Sequence, residues 1–108
     1  MDASPTIAVI ARDEGLLDSL TFLLGVEGFR VDAASRAPAA IPGGGWLCAV
    51  VDSGVTLPAD LFAGSTTPVI FLSDQLSPPP AAADVRVLAK PFQASELLDV
   101  IAGLRTRV

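Results

Sequence analysis

Five short runs of apolar, largely β-branched residues recur along the chain, and their spacing limits its fold more than any other feature. They cover residues 6–11, 30–34, 47–51, 69–72 and 86–89. Runs of this length and composition predict β-strands. The third and fourth runs are almost continuously apolar, which is typical of strands buried on both faces of a parallel sheet.

Two amphipathic segments alternate with these runs. Between the first two runs, leucines spaced by three and four residues predict a helix that is ended by Gly25 and Gly28. A second helix is predicted to begin near Ser95, with Glu96 in its first turn and apolar residues at 97, 98, 101 and 104. Strands that alternate with helices indicate right-handed βαβ units, so we expect an α/β fold with a doubly wound parallel sheet.

The middle connections are interrupted by proline and glycine. Residues 37–41 have room for one or two helical turns, and residues 59–63 for a short helix. Between Ser73 and Arg86, three consecutive prolines at 78–80 allow at most one turn or an extended crossover. We therefore predict shortened third and fourth helices. No linker or internal repeat divides the chain, so residues 1–108 are predicted to form one domain.

Composition excludes several functions. The net charge is −5, and the chain has one lysine and no histidine, which argues against direct nucleic-acid binding. The single cysteine, Cys48, lies in an apolar run and is expected to be a buried hydrophobic residue, and zinc chemistry is excluded. The apolar runs are far shorter than the ~20 residues of a membrane span. With no secretory signal either, a cytoplasmic location is expected.

Charged or hydroxyl-bearing residues follow four of the five predicted strands. Asp13 follows the first, Asp52 the third, Ser73 the fourth and Lys90 the fifth. In an open parallel sheet, ligands and chemistry collect at the carboxyl ends of the strands. A carboxylate-and-lysine pocket centred on Asp52 is therefore expected, and it favours signalling over enzymatic turnover.

In these residues the chain resembles the response-regulator receiver domains of two-component signalling. The resemblance covers nearly the whole chain and rests on five pieces: Ile-Ala-Arg-Asp-Glu at 10–14, Gly-Phe-Arg-Val at 28–31, Ala-Val-Val-Asp at 49–52, Pro-Val-Ile-Phe-Leu-Ser at 68–73 and Lys-Pro-Phe at 90–92. It implies a flavodoxin-like sheet of five parallel strands in the order 2-1-3-4-5.

The resemblance also implies a role for each polar residue at these strand ends. Asp52 would accept a phosphoryl group from a histidine kinase or phosphotransfer protein. Lys90 and Ser73 would contact the phosphoryl oxygens, and Mg²⁺ would be held by Asp13, Asp52 and the backbone carbonyl of Gly54. An output domain or separate regulator would follow in the pathway. Receivers often dimerise through the last helix, so the resemblance leaves homodimerisation open.

Three residues depart from the receiver pattern. Arg12 stands where receivers carry a second acid, and it would weaken Mg²⁺ binding, replace the ion by pairing with Asp52, or turn out to solvent. Asp74 follows Ser73 where a small residue is usual, and its charge would repel an incoming phosphate. Val87 occupies the position where an aromatic switch residue is common, so the usual coupling to that residue would be lost or altered.

These departures leave two signalling hypotheses open. The first is a working phosphoacceptor that switches a partner or an output domain. The second is a pseudo-receiver that binds proteins without being phosphorylated. A small flavodoxin-like or nucleotide-binding enzyme is disfavoured, because no glycine-rich phosphate-binding loop follows the first strand.

Overall fold

A computed structural model describes residues 5–38, 46–58, 60–62 and 65–105. All five predicted strands are present, and each predicted boundary lies within one residue of the observed one. The strands are β1 (Thr6–Ile10), β2 (Arg30–Ala34), β3 (Cys48–Asp52), β4 (Val69–Ser73) and β5 (Val85–Ala89). They pair in parallel in the order β2-β1-β3-β4-β5, which confirms the predicted doubly wound sheet.

Two helices, α1 (Glu14–Val26) and α2 (Ala94–Arg105), correspond to the two predicted amphipathic segments. The helix α1 ends at Val26, between Gly25 and Gly28, the two glycines that were predicted to end it. Its actual end is formed by Gly28, whose φ of 94° is a left-handed conformation that glycine adopts without steric cost. There the N–H of Gly28 donates to the carbonyl of Gly25, and the N–H of Phe29 to that of Leu24.

In the described residues, no helix forms in the connections after β3 and β4. Residues 74–84, all described, contain no helix and form an extended crossover. Residues 60–62 form a hydrogen-bonded turn, in which the N–H of Leu61 donates to the carbonyl of Pro58. The ends of the predicted 59–63 helix lie outside the described residues. Residues 37 and 38 are not helical, and the rest of the predicted 37–41 segment is also outside the described residues.

The two faces of the sheet are covered in different ways. On one face, strand residues such as Val9 and Val50 pack under α1 and α2, which contribute the buried Leu24 and Leu97. On the other face, the fully buried Phe62 and neighbouring loop residues cover Ala8, Ile10, Ala49, Val51 and Val69. Burying a phenylalanine side chain contributes about 1.5–3 kcal/mol, so Phe62 alone anchors much of this loop layer.

The loop layer leaves the β5 side of the sheet thinly covered. Val87 pairs in register with Phe71, so the two side chains lie on the same face of the sheet. Phe71 is 4% exposed whereas Val87 is 58% exposed. β5 is the edge strand of the sheet, and residues 74–84 place no helix beside it.

Candidate functional site

Asp52 is the last residue of β3, and its carboxylate lies at the carboxyl edge of the sheet. The residue is buried, and its Oδ1 forms an ion pair with the Nζ of Lys90 at 2.7 Å. Its Oδ2 accepts a hydrogen bond from the backbone N–H of Gly54 at 3.1 Å. A buried carboxylate needs such partners, because an unpaired charge would lose its hydration without compensation.

Lys90 reaches Asp52 because the backbone fixes its position at the end of β5. Its N–H donates to the carbonyl of Ser73 at 2.9 Å, which extends the pairing of β4 and β5 by one residue. The Lys90–Pro91 peptide is cis. The side chain of Lys90 is 32% exposed against 9% for that of Asp52, so the lysine is the solvent-facing member of the pair.

Ser73 and Asp74 organise the turn that follows β4. The Oγ of the buried Ser73 accepts a hydrogen bond from the N–H of Gln75 at 2.9 Å. Gln75 has a φ of 67°, a left-handed conformation that is uncommon outside glycine. Ser73 therefore lies at the same sheet edge as Lys90, and its hydroxyl oxygen accepts a hydrogen bond from its own loop.

The carboxylate of Asp74 is turned into the same loop. Its Oδ1 accepts hydrogen bonds from the backbone N–H groups of Leu76 at 2.9 Å and Ser77 at 3.0 Å. These two bonds are the main cause that lowers the pKa of Asp74 below its ordinary value, and the positive charge of Lys90 adds to the effect. Asp74 is thus a fully exposed carboxylate near Lys90, beside the candidate site.

Asp13 and Arg12 both follow β1, but their side chains have different surroundings. Asp13 is the N-cap of α1, and its Oδ1 accepts from the N–H of Gly15 at 2.9 Å and that of Leu16 at 3.4 Å. Arg12 is exposed and lines a polar cleft with Thr56 and other residues. Within the part of the chain that the structure describes, Arg12 forms no ion pair with Asp52.

The oxygen atoms around Asp52 are of the type that binds Mg²⁺, but they are few. Mg²⁺ is usually held by one or two carboxylates together with waters and phosphate oxygens, and Asp13, Asp52 and the Gly54 carbonyl are all oxygen donors. Across the described residues, however, no group of three or more acidic or cysteine side chains is placed to hold a metal ion. An arginine at position 12 in place of an acid lowers the negative charge available to a cation here.

Sequence reasoning missed one feature at this edge of the sheet. Arg36, just after β2, lines the same cleft as Arg12 and Thr56. The strand-end rule that identified Asp52 could have identified Arg36 as well, because it too follows a predicted strand at its carboxyl end.

No protein-family model matches the chain, but it has a clear relative among known proteins. It is 36% identical over 107 residues to the transcriptional regulator protein FixT of Rhizobium meliloti (strain 1021), an alignment that covers 92% of this chain and 91% of FixT. The two proteins are thus alike over almost their whole lengths.

Solved structures with the same fold are also found. The non-phosphorylated receiver domain of HemR from Leptospira biflexa has a TM-score of 0.73 at 21% identity and covers 97% of both chains. Full-length FixJ from B. japonicum has a TM-score of 0.68 at 24% identity and covers 96% of this chain but 59% of FixJ. The chain therefore spans less than two thirds of FixJ. At these identities the likeness establishes the fold.

Among the described residues, neither helix is both long and apolar enough to cross a bilayer.

Proposed function

Since the chain belongs to the family of the transcriptional regulator protein FixT and has the fold of response-regulator receiver domains, we propose that it is a two-component signalling module in which Asp52 accepts a phosphoryl group. The observation that supports this most is the 2.7 Å ion pair between Asp52 and Lys90 at the carboxyl edge of the sheet. The sequence separation of the two residues is 38, so only the fold brings them together. The proposed donor is a phosphohistidine of a kinase or phosphotransfer protein.

The proposed reaction requires little from the protein beyond position and charge. A carboxylate oxygen of Asp52 attacks the phosphorus of phosphohistidine, the N–P bond breaks, and the bonding pair leaves with the imidazole. The product is an acyl phosphate on Asp52. The ammonium of Lys90 stabilises the negative charge on the phosphoryl oxygens, and Ser73 donates its hydroxyl proton to one of them while its Oγ still accepts from the N–H of Gln75.

Mg²⁺ is a proposed partner of this pocket. Asp13, Asp52 and the carbonyl of Gly54 would hold the ion, which when bound would neutralise charge on the phosphoryl group. Because Arg12 replaces an acid, we expect weaker Mg²⁺ binding than a pocket with a second acid at that position would give.

A second candidate, a pseudo-receiver that binds partners without phosphorylation, is favoured by separate observations. The exposed carboxylate of Asp74 opposes an approaching phosphate. Val87 is exposed and has no aromatic ring, and residues 74–84 form no helix. A conformational signal carried by a switch residue and the fourth helix would therefore need a different route in this chain.

The proposed output is transcriptional regulation through a protein partner, because the relative FixT is a transcriptional regulator. The chain itself carries 12 acidic and 7 basic residues, a balance that does not favour direct contact with the phosphates of DNA. We therefore propose that it acts on transcription as a signalling switch, through a protein partner.

The two candidates are separated by incubation with acetyl phosphate, with and without Mg²⁺, followed by rapid intact-mass measurement. A phosphoryl adduct on the native chain that is absent from Asp52→Asn supports the phosphoacceptor. If it needs Mg²⁺, then Arg12 does not block the metal. An adduct that forms equally well without Mg²⁺ would show that a protein cation replaces the ion.

No adduct on a chain that circular dichroism shows to be folded would favour the pseudo-receiver. Asp84→Asn is the matched control, because it removes a carboxylate from the opposite, N-terminal end of β5. If Asp52 is the phosphoacceptor, this control variant should be phosphorylated like the native chain.

A further inference from the structure

A second polar cleft lies beside the Asp52 pocket, and we propose that it binds a small phosphate monoester. The cleft has a volume of about 490 Å³ and is lined by Arg12, Glu14, Ser35, Arg36, Val55 and Thr56. It would be a ligand site separate from the phosphoacceptor, so it does not depend on phosphorylation of Asp52.

The topology of the sheet explains why a cleft forms there. Arg12 follows β1, Arg36 follows β2 and Thr56 lies in the loop after β3, so all three lie at the carboxyl edge of the sheet. The order β2-β1-β3-β4-β5 reverses between β1 and β3. Loops diverge at such a reversal and leave a crevice, which is where open α/β sheets bind ligands.

The charged side chains that line the cleft favour the binding of an anion. Arg12 and Arg36 are both exposed, and within the described residues neither forms a hydrogen bond or an ion pair. By contrast, Arg86 is paired with Asp84 and Lys90 with Asp52. The lining thus holds two guanidinium groups and one carboxylate, so it carries a net positive charge in a chain of net charge −5.

Phosphate suits these side chains better than a single carboxylate does. A guanidinium group presents a planar fork of N–H donors that matches two phosphate oxygens, and two such groups can engage one phosphate from opposite sides. The hydroxyl groups of Ser35 and Thr56 line the same cleft and can donate to the remaining oxygens.

Glu14 is the one acidic residue in the lining, and its carboxylate limits what the organic part of the ligand can be. A carboxylate repels free phosphate, but it accepts hydrogen bonds from hydroxyl groups. A phosphate monoester with hydroxyl groups on its organic part satisfies both the arginines and Glu14. The volume of about 490 Å³ is within the usual range for small-molecule sites.

The test is isothermal titration calorimetry at low ionic strength with ribose 5-phosphate, inorganic phosphate and ribose as probes. Ribose 5-phosphate is expected to bind in a one-to-one ratio and more tightly than inorganic phosphate, and ribose is expected not to bind. Arg36→Gln and Arg12→Gln should each weaken binding by about tenfold or more, the effect of losing a charge-assisted hydrogen bond.

Arg30→Gln is the matched control. Arg30 is also exposed and its loss changes the net charge equally, but it begins β2 at the opposite edge of the sheet. It should change the affinity by less than about twofold.

Four results would overturn the proposal. The first is the absence of binding by any phosphate probe to a folded chain. The second is equal weakening by Arg30→Gln and Arg36→Gln, which would indicate unspecific charge attraction. The third is binding that Asp52→Asn tightens and Arg36→Gln leaves unchanged, which would assign the phosphate to Lys90. Equal affinity for inorganic phosphate and ribose 5-phosphate would contradict the assignment to an ester.

Discussion

The ion pair between Asp52 and Lys90 should make a measurable contribution to the stability of the fold. At the observed separation of 2.7 Å, two unit charges attract by about 1.5 kcal/mol in water and about 6 kcal/mol at an effective dielectric of 20. The exposed fractions of 9% and 32% place the pair between these limits. Ordering the lysine side chain costs up to about 2 kcal/mol, so we expect a net coupling of about 2 kcal/mol.

This coupling is obtained from a double-mutant cycle of the native chain, Asp52→Asn, Lys90→Met and the double variant. Urea unfolding followed by the fluorescence of Trp46, the only tryptophan, reports the free energy of unfolding for each. Lys90→Met alone should lower that free energy by about 2–3 kcal/mol, because it leaves the buried carboxylate with one N–H partner. Asp52→Asn should lower it less, because the amide carries no charge.

The pair Asp84–Arg86 is the internal reference for this measurement. Its N–O distance is 3.0 Å, and its side chains are 26% and 37% exposed, so its coupling should be below about 1 kcal/mol. A coupling for Asp52–Lys90 that is no larger than that of the reference pair would refute the reasoning. It would mean that the two side chains do not form a desolvated ion pair.

Four further predictions concern single positions. Asp13→Ala should lower the free energy of unfolding by about 1 kcal/mol through loss of the helix cap, and an unchanged urea midpoint would contradict that role. Gly28→Ala should destabilise the chain by about 1 kcal/mol because its φ is 94°, whereas Gly25→Ala, inside α1, should stabilise it slightly; equal effects in urea unfolding would argue against the left-handed conformation. Burial raises the pKa of the Cys48 thiol to about 12, so alkylation of this thiol at pH 8 should be far slower in the folded chain than in urea. The free energy of unfolding should also fall as the pH rises above 9.0, because the thiol ionises first in the unfolded chain. Arg12→Asp should increase the affinity for Mg²⁺ at least about tenfold in calorimetry, and no increase would place residue 12 too far from the ion to matter.

The fold was largely predictable because the sheet is buried. β3 and β4 have every residue buried, which is why their sequences are continuous apolar runs with sharp ends. α1 and α2 show apolar residues at helical spacing because each packs one side on the sheet. The position of Asp52 and Lys90 at strand ends followed from the same pattern.

The loops were harder to predict because their conformation depends on individual hydrogen bonds. Nothing in the spacing of Ser73 and Asp74 indicates that both side chains accept from backbone N–H groups of their own turn. Similarly, three orientations of Arg12 were open from the sequence, and the structure places the side chain in the cleft that contains Arg36. The strand-end rule finds residues at the edge of the sheet, but it does not give the direction in which a side chain points.

The central claim, that Asp52 is the phosphoacceptor, is tested most directly by locating the phosphoryl group. After treatment with acetyl phosphate, borohydride reduces an acyl phosphate to an alcohol, so that a phosphorylated aspartate becomes homoserine and can be found by peptide mapping. Our account predicts homoserine at position 52 and unchanged aspartate at positions 13 and 74. Homoserine at either of those positions, or none at position 52 of a phosphorylated chain, would contradict it.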